Sequence, residues 1–183
     1  MFVAGLRKTK GVLDLIETAQ RLKLMKLNFI MDVVGLWQES ETEKLFHAEL
    51  SKHKLKDNIF IHGKLTGQDK WDLYNSAKVF FFPSYYESEN FPLVLIEAMG
   101  FGLPIVSTKW RGITEMVDQG DSGFLCKVGQ CDEFAEAIRS LIVDQDLHDN
   151  MSKSARSLYE NNYTQNVFIS SMAEAFEDVT SNG

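Results

Sequence analysis

Residues 83–112, PSYYESENFPLVLIEAMGFGLPIVSTKWRG, contain a loop, a helix and the start of a strand. The apolar run 79–82 ends at a proline, and a polar loop then leads to Pro92. Proline suits the first turn of a helix, because the N–H that it lacks would have no partner inside the helix. We therefore predict a helix over about 92–99, ended by a Gly-Phe-Gly break, and a buried strand over 104–107. Strand, helix and strand in this order form a βαβ unit.

The same alternation of strands and helices extends over the whole chain. Short apolar runs predict strands, and apolar residues at helical spacing predict helices between them. The predicted strands cover 2–6, 27–34, 59–62, 78–82, 104–107 and 123–126, and the predicted helices cover 12–24, 41–54, 68–76, 92–99, 113–119, 132–143, 147–161 and 164–179. This order indicates an α/β fold with a doubly wound, mainly parallel sheet. With 183 residues, of which 44% are hydrophobic, the chain suits a single domain over 1–183.

Composition and charge exclude several classes of function. The net charge of −7 argues against a nucleic-acid partner, because proteins that bind the phosphate backbone need a basic face. No apolar run approaches the ~20 residues that a transmembrane segment requires, and no signal peptide precedes the first strand. The two cysteines, Cys126 and Cys131, indicate a reducing compartment without disulfides, so we expect a cytoplasmic protein. Their spacing relative to His148 does not match a zinc site, and no metal is predicted.

Glu97 is the unusual residue of the predicted helix at 92–99. Its neighbours are apolar, so the helix is expected to be covered on most sides, where a carboxylate needs partners. Two interpretations remain open. Glu97 either pairs with a lysine or arginine of the chain or accepts hydrogen bonds from the hydroxyl groups of a ligand.

The spacing between Glu97 and a second acid, Glu89, points to a ligand. Seven residues separate them, so Glu89 falls in the loop before the helix and Glu97 nearly two turns inside it. Between them the N–H groups of Leu93, Val94 and Leu95 have no partner within the helix, and with the helix dipole they can bind an anion. A ligand with a diphosphate at the helix end and hydroxylated rings on both sides would contact all three features. A nucleotide sugar has this chemistry.

The segment 89–107 resembles the Glu-x7-Glu signature of the group 1 (family 4) retaining glycosyltransferases. In that family the signature lies in the C-terminal, donor-binding domain of the two-domain GT-B fold. The match extends to Gly102 and Pro104 at the expected distances, and to the sequence Gly-Ile-Thr-Glu at 112–115, which is similar to the family's Gly-Gly-x-x-Glu. The resemblance implies a Rossmann-like half of a GT-B glycosyltransferase, a nucleoside-diphosphate sugar as donor, and no required metal or other cofactor.

The resemblance also implies roles at the matched positions. Glu97 would bind the ribose hydroxyls of the donor, and Glu89, the candidate catalytic residue, would lie beside the transferred sugar. Asn90, Phe91 and Leu93 would line the sugar and phosphate site. The chain has Asn-Phe-Pro where many members of the family have Gly-Phe-Gly. Because proline donates no N–H, we expect the phosphate contacts to fall later in the helix.

A basic loop after the first strand supplies candidate phosphate ligands. A cation at the carboxyl end of a strand can neutralise a diphosphate leaving group, which makes Lys10 and Arg7 candidates, with a solvated basic turn as the alternative. Lys10 and Gly11 are similar to a Lys-Gly pair of the family. The family's phosphate-binding arginine aligns with Gly5, so Arg7 would be a displaced substitute. Lys64 is a further candidate for donor binding, because it follows the third strand in a loop that borders the nucleotide base in the family.

These observations predict the donor half of a glycosyltransferase of polysaccharide biosynthesis that transfers its sugar with retention. A saccharide or lipid-linked acceptor would bind to an N-terminal domain absent from this chain. The helices at about 147–179 would pack toward that domain, and their apolar stripe would be partly exposed here: Phe168, Met172, Phe176 and Val179.

We expect the chain alone to bind the donor and to be inactive or weakly active in transfer. The full-length enzyme would be cytoplasmic or peripheral to the inner face of the membrane. Two alternatives remain: a non-catalytic subunit that binds nucleotide sugars, and a sugar-nucleotide epimerase of GT-B architecture.

Overall fold

The computed structural model describes residues 1–181, with side chains as far as Glu177. The strands are β1 (Phe2–Val3), β2 (Met31–Val34), β3 (Ile59–Gly63), β4 (Phe80–Phe82), β5 (Ile105–Thr108) and β6 (Gly123–Cys126). The helices are α1 (Val12–Leu24), α2 (Ser40–Lys52), α3 (Gln68–Ser76), α4 (Leu93–Gly100), α5 (Ile113–Met116), α6 (Cys131–Val143), α7 (Gln145–Asn162) and α8 (Gln165–Ser181). A short 3-10 helix, Lys8–Lys10, lies between β1 and α1.

The six strands form two parallel sheets that meet side by side. One has the order β1-β2-β3 and the other β4-β5-β6, and every strand pair is parallel. β4 lies next to β1, because the Phe81 N–H donates to the carbonyl of Met1 at 2.9 Å. The strands therefore follow the order 3-2-1-4-5-6, with the reversal between β1 and β4. The predicted doubly wound, parallel α/β fold is confirmed.

Apolar side chains cover both faces of the sheet. Phe80, Phe81 and Phe82 of β4 are all buried although consecutive strand residues point to opposite faces. On one face Phe82 stacks on Phe2 with ring centroids 6.2 Å apart, and on the other Phe81 packs edge-on against Phe134 of α6 at 5.2 Å. The predicted core faces of α1 and α6 are buried as well, with Ile142 only partly covered: Val12, Leu15, Ile16, Ala19, Leu22, Phe134, Ala135, Ile138 and Leu141.

Gly11 brings the basic turn after β1 against the end of β4. Its φ of +79° lies in the left-handed region, and a Cβ at this position would stand 2.2 Å from the carbonyl oxygen of Pro83. Only glycine fits both the dihedral and the space. The Tyr85 N–H also donates to the carbonyl of Thr9 at 2.9 Å. As a result, the loops that follow β1 and β4 touch at the carboxyl edge of the sheet.

Several element boundaries differ from the predicted ones. β2 starts at Met31, four residues later than predicted, because the backbone before it bonds elsewhere: Leu27 N–H donates to Leu22, and the Asn58 side chain donates to the carbonyl of Phe29. α4 starts at Leu93, with Pro92 as the capping residue just before it. The predicted covering of α4 is wrong at its first turn, since Leu93 is 64% exposed.

The C-terminal helix α8 presents apolar side chains to solvent. Phe168, Met172 and Phe176 are each more than 40% exposed, while the side chain of Val179 lies outside the described residues. Such a contiguous apolar stripe is typical of a surface that another domain or partner covers. Within the described part of the chain, no helix combines the length and the apolar composition needed to cross a membrane.

Candidate functional site

Glu89 lies in the loop between β4 and α4 and is 5% exposed. Its Oε2 accepts hydrogen bonds from Lys10 Nζ and from the Ser84 hydroxyl, each at 2.5 Å. Its other oxygen, Oε1, has no hydrogen bond within the described residues. A buried carboxylate needs a cation and hydrogen bonds to remain charged, and Lys10 and Ser84 supply both. One oxygen is therefore fixed and the other is available.

Lys10 and Arg7 lie on the ring of Tyr86. The Lys10 ammonium is 4.7 Å from the ring centroid, and the Arg7 guanidinium carbon is 5.2 Å from it. Both distances are within the range of cation–π attraction. The structure thus brings the two predicted cations of the first loop to one aromatic side chain in the loop after β4.

The loop that carries Tyr86 and Glu89 is held by the segment after β5. The Trp110 indole N–H donates to the carbonyl of Tyr86 at 2.9 Å, and the Gly112 N–H donates to the carbonyl of Glu89 at 3.3 Å. The Thr108 hydroxyl donates to the carbonyl of Ser84. These bonds satisfy backbone groups that would otherwise need water, and they fix the loop on the sheet.

Glu97 has a separate set of partners on helix α3. Lys70 Nζ donates to its Oε1 at 2.7 Å, and the Tyr74 hydroxyl donates to its Oε2 at 2.8 Å. Burial, together with the Glu97 charge, raises the pKa of Tyr74 far above its usual value, so Tyr74 remains a donor. The Glu97 side chain is 27% exposed, so a ligand can still reach it. The ion pair considered for Glu97 is present, and no partner is shared with Glu89.

The first turn of α4 points free N–H groups toward the carboxyl edge of the sheet. Pro92 precedes the helix and makes no side-chain cap, and the first N–H to close the turn is that of Leu95, which donates to Pro92 at 3.0 Å. The N–H groups of Leu93 and Val94 have no backbone acceptor among residues 1–181. Phe91, 56% exposed, packs edge-on against Tyr163 at 6.1 Å. This helix end has the free N–H groups that the predicted anion site requires, and anion binding there stays a prediction.

Two predicted donor-binding residues, Lys64 and Asn90, make no side-chain hydrogen bond to this cluster. Lys64 is exposed after β3 and makes no hydrogen bond or ion pair within the described residues. Asn90 is exposed, and its side chain also makes no hydrogen bond in that part of the chain. Their roles remain predictions.

Sequence reasoning missed five side chains that shape the site. They serve as hydrogen-bond donors or acceptors and as the aromatic platform for the cations: Gln38, Lys70, Tyr74, Ser84 and Tyr86. For Gln38, Ser84 and Tyr86 the order of the strands was the one available signal, because residues that follow neighbouring strands of a parallel sheet share one edge. Lys70 and Tyr74 lie on α3, and no signal in the sequence pointed to them.

A cavity among the described residues lies at the opposite edge of the sheet. It has a volume of about 460 Å³ and is lined at the starts of the strands by residues such as Met1, Met31 and Val79. Ligands of doubly wound sheets bind beyond the carboxyl ends of the strands, where the order reverses. Lys10 and Glu89 follow the two strands at that reversal. Their position favours the surface at the carboxyl edge of the sheet, rather than the cavity, as the candidate ligand site.

One cluster outside the site offers atoms that can hold a metal. Asp14 and Glu17 of α1 and Cys131 of α6 place one ligand atom each within 4.8 Å of one another. Burial raises the pKa of Asp14 to about 6 and that of the Cys131 thiol to about 12. The thiol is therefore protonated at neutral pH, which opposes metal binding. The absence of a metal requirement remains a prediction.

A parallel sheet of order 3-2-1-4-5-6 with a lysine–glutamate pair at its reversal point defines a doubly wound α/β protein whose charged side chains gather at the carboxyl ends of the strands. The sequence pattern of the family "Glycosyl transferases group 1" matches residues 1–158. The chain belongs to this family.

Individual relatives agree with this assignment. The chain is 26% identical to the putative colanic acid biosynthesis glycosyltransferase WcaL of Salmonella typhimurium over 182 residues. These matched residues cover 97% of this chain and 44% of that protein. The fold is similar to that of Anabaena Alr3699/HepE in complex with UDP-glucose, with a TM-score of 0.85 and 23% identity over 97% of this chain and 48% of the other.

The C-terminal domain of LpcC, a glycosyl transferase group 1 family protein from Francisella tularensis, is a further structural neighbour. Its TM-score is 0.79 at 20% identity, over 90% of this chain and 85% of that domain. The chain therefore spans less than half of WcaL and HepE but nearly all of an isolated C-terminal domain. It has the Rossmann-like half of a GT-B glycosyltransferase.

Proposed function

We propose that this chain is the donor-binding part of a glycosyltransferase, which takes a sugar from a nucleoside diphosphate and transfers it to a saccharide or lipid-linked acceptor with retention. The observation that carries the proposal is the contact between Lys10 and Glu89, 79 residues apart in sequence, at the point where the strand order reverses. Membership of the group 1 family and the UDP-glucose bound to HepE support the same ligand class.

The leaving diphosphate would lie between Lys10 and the first turn of α4. Its negative charge increases as the bond to the sugar breaks, and preorganised donors stabilise that charge most where it develops. Lys10 supplies a cation that Glu89 already holds in place, and the N–H groups of Leu93 and Val94 supply backbone donors. No metal is needed in this arrangement.

Glu89 would orient the transferred sugar. Its Oε2 is fixed by Lys10 and Ser84, so Oε1 is the atom left to accept a hydrogen bond from a sugar hydroxyl. Glu97, which lies on α4 and is 27% exposed, would accept from the ribose hydroxyls while Lys70 and Tyr74 hold its two oxygens in place. A carboxylate oxygen has more than one lone pair, so it can serve both partners.

The acceptor would bind outside this chain. The relatives WcaL and HepE are more than twice as long, and the exposed stripe of Phe168, Met172 and Phe176 on α8 is suited to pack against the additional domain. We therefore expect the chain alone to bind donor nucleotide and to transfer little sugar. A cytoplasmic location, free or peripheral to the membrane, is part of the proposal and agrees with two unpaired buried cysteines.

Calorimetric titration with UDP, GDP and ADP tests the proposal. At least one of them should bind the wild-type chain, and Glu97→Ala should weaken it by more than ~1 kcal/mol, or about fivefold, because hydrogen bonds to a charged group are lost. Glu136→Ala on α6 is the matched control, since that glutamate also pairs with a cation, Arg139, but lies on another helix. Failure of all three nucleotides to bind would overturn the proposal.

Product analysis of a longer polypeptide that contains this chain separates the remaining candidates. Incubation with UDP-glucose and an acceptor should yield a glycosylated product if the protein is a transferase. An epimerised donor would indicate an epimerase, and an unchanged donor with measurable binding would indicate a binding subunit.

A further inference from the structure

Two segments at the amino edge of the sheet, 23–30 at the end of α1 and 52–58 at the end of α2, are rich in lysine. Together they contain five lysines and one acidic residue, Asp57, on a chain whose net charge is −7. Lys52 pairs with Glu49 at 2.8 Å. The other four lysines are exposed and form no ion pair within the part of the chain that the structure describes: Lys23, Lys26, Lys54 and Lys56. The positive charge here is local and largely uncompensated.

Hydrogen bonds join the two segments into one surface. The Lys23 ammonium donates to the carbonyl of Lys54 at 2.5 Å. The Asn58 side chain donates to the carbonyl of Phe29 at 3.1 Å. Both helices return from the carboxyl edge of the sheet to its amino edge, so their ends lie side by side. We call residues 23–30 and 52–58 the amino-edge surface.

α1 and α2 end in the same motif, with a lysine in the left-handed region. The φ angle is +58° at Lys26 and +53° at Lys54, and the N–H of the leucine that follows each donates back to the last turn of the helix. Glycine is usual at this position, because it adopts a positive φ without strain. The helix dipole favours a cation in the last turn, but Lys23 and Lys52 already supply one there. The charges of Lys26 and Lys54 therefore need a reason other than stability.

Two large apolar side chains are exposed on the same surface. Leu24 is 74% exposed and lies between two lysines in sequence, and Ile30 is 66% exposed. Ile30 also lines the cavity at this edge together with Leu22 of α1, which places it near the end of that helix. Apolar side chains among lysines are typical of a surface that lies on an anionic bilayer, where they enter the headgroup region while the ammonium groups stay in water.

The choice of lysine favours lipid over a protein partner. The two segments contain five lysines and no arginine. Protein interfaces are enriched in arginine and depleted in lysine. A lysine ammonium is a compact point charge, so it is attracted to a layer of anionic headgroups without needing a fixed geometry.

We propose that the amino-edge surface binds an anionic phospholipid bilayer. Lys23, Lys26, Lys54 and Lys56 are attracted to the headgroups, and Leu24 and Ile30 enter the layer between them. The candidate donor site lies at the opposite edge of the sheet, so it remains open while the chain rests on lipid. This inference does not rest on donor binding and adds a membrane contact to it.

Sedimentation with lipid vesicles tests the inference. The wild-type chain should bind vesicles of equal parts phosphatidylcholine and phosphatidylglycerol, should not bind phosphatidylcholine alone, and should dissociate as salt is added. Lys26→Gly combined with Lys54→Gly should weaken binding about thirtyfold, since each lysine near an anionic surface contributes about fivefold. The melting temperature of this variant should not fall, because glycine suits a positive φ.

Leu24→Gln combined with Ile30→Gln tests the apolar part and should weaken binding to the mixed vesicles by about tenfold. The control is Lys109→Gln combined with Lys127→Gln, which removes two exposed charges that follow β5 and β6 at the carboxyl edge. It should bind the mixed vesicles as the wild type does.

A wild-type chain that does not sediment with the mixed vesicles, or that binds phosphatidylcholine equally well, would refute the inference. Equal binding by the wild type and the double glycine variant would refute it as well. Nucleotide titration separates the two proposals. A chain that binds the mixed vesicles but none of UDP, GDP and ADP would overturn the donor-binding function and leave the amino-edge surface standing.

Discussion

The two acids of the candidate site have the same kinds of partners, but they differ in which oxygens are bonded and in how exposed the side chains are. Glu89 and Glu97 each bind one lysine and one hydroxyl, Lys10 with Ser84 and Lys70 with Tyr74. On Glu89 both bonds go to one oxygen, and the side chain is 7% exposed. On Glu97 each oxygen has one bond, and the side chain is 27% exposed.

Under the proposed function, this difference in bonding and exposure suits Glu89 and Glu97 to different roles. A carboxylate with one free oxygen in a nearly closed position is ready to accept a single, directed hydrogen bond, which suits a role beside the reacting sugar. A partly exposed carboxylate whose two oxygens are both hydrogen-bonded must use those same oxygens to bind a ligand as well. This arrangement suits binding of the ribose hydroxyls. Under the proposed function, Lys70 and Tyr74, which lie on a helix outside the sequence motif, would hold Glu97 in place for the donor.

Replacement of the lysine that pairs with each acid should give the largest difference in the free energy of unfolding between the two positions. Lys10→Met leaves a buried charge with only Ser84 as partner and should lower the free energy of unfolding by about 3 kcal/mol. Lys70→Met should cost only about 1.5 kcal/mol, because Glu97 is better solvated and keeps its bond from Tyr74. Urea denaturation measures both, with the exposed Lys44→Met as control. Equal losses at the two positions would mean that burial does not distinguish the acids.

Removal of the hydroxyl that bonds each acid should also destabilise the chain more at Glu89 than at Glu97, but by less than removal of the lysine. Ser84→Ala deletes a 2.5 Å bond to the buried Glu89 and should destabilise the chain by about 2 kcal/mol, whereas Tyr74→Phe should cost about 1 kcal/mol. Thermal unfolding followed by circular dichroism measures the two changes. A larger loss for Tyr74→Phe would contradict the comparison.

Asp14 shows the effect of burial on a carboxyl group that forms no ion pair within the described part of the chain. Its pKa is raised to about 6, chiefly by desolvation, so its folded form favours the proton. The stability that this provides is present below pH ~4 and is lost as the pH rises through ~6. Asp14→Asn should therefore match the wild type at pH 4 and exceed it at pH 8 by on the order of 1 kcal/mol after allowance for partial exposure.

Urea denaturation at the two pH values measures this change, and the exposed Asp57→Asn is the control. A gain in the free energy of unfolding that is equal at pH 4 and pH 8 would show that the raised pKa of Asp14 is not its cause.

The sequence predicts the fold well and the partners of the site poorly, for a physical reason. Helical and strand periodicity predict α3 and β6 to the residue, because those patterns are local. Lys10 is predicted near the site because strand ends share an edge of the sheet. Its bond to Glu89 depends on β1 lying next to β4, which no local pattern encodes. Lys70 and Tyr74 looked like ordinary helix residues for the same reason. Lys64 follows a strand end as well, yet it makes no hydrogen bond or ion pair within the described residues.

A crystal structure of the chain with the nucleoside diphosphate that binds most tightly tests the central claim most directly. The account predicts the diphosphate within hydrogen-bond distance of Lys10 Nζ and of the Leu93 or Val94 N–H, with the ribose hydroxyls on Glu97. A nucleotide seated instead in the apolar cavity at the amino edge of the sheet, or one that leaves Lys10 and the first turn of α4 without contacts, would contradict it.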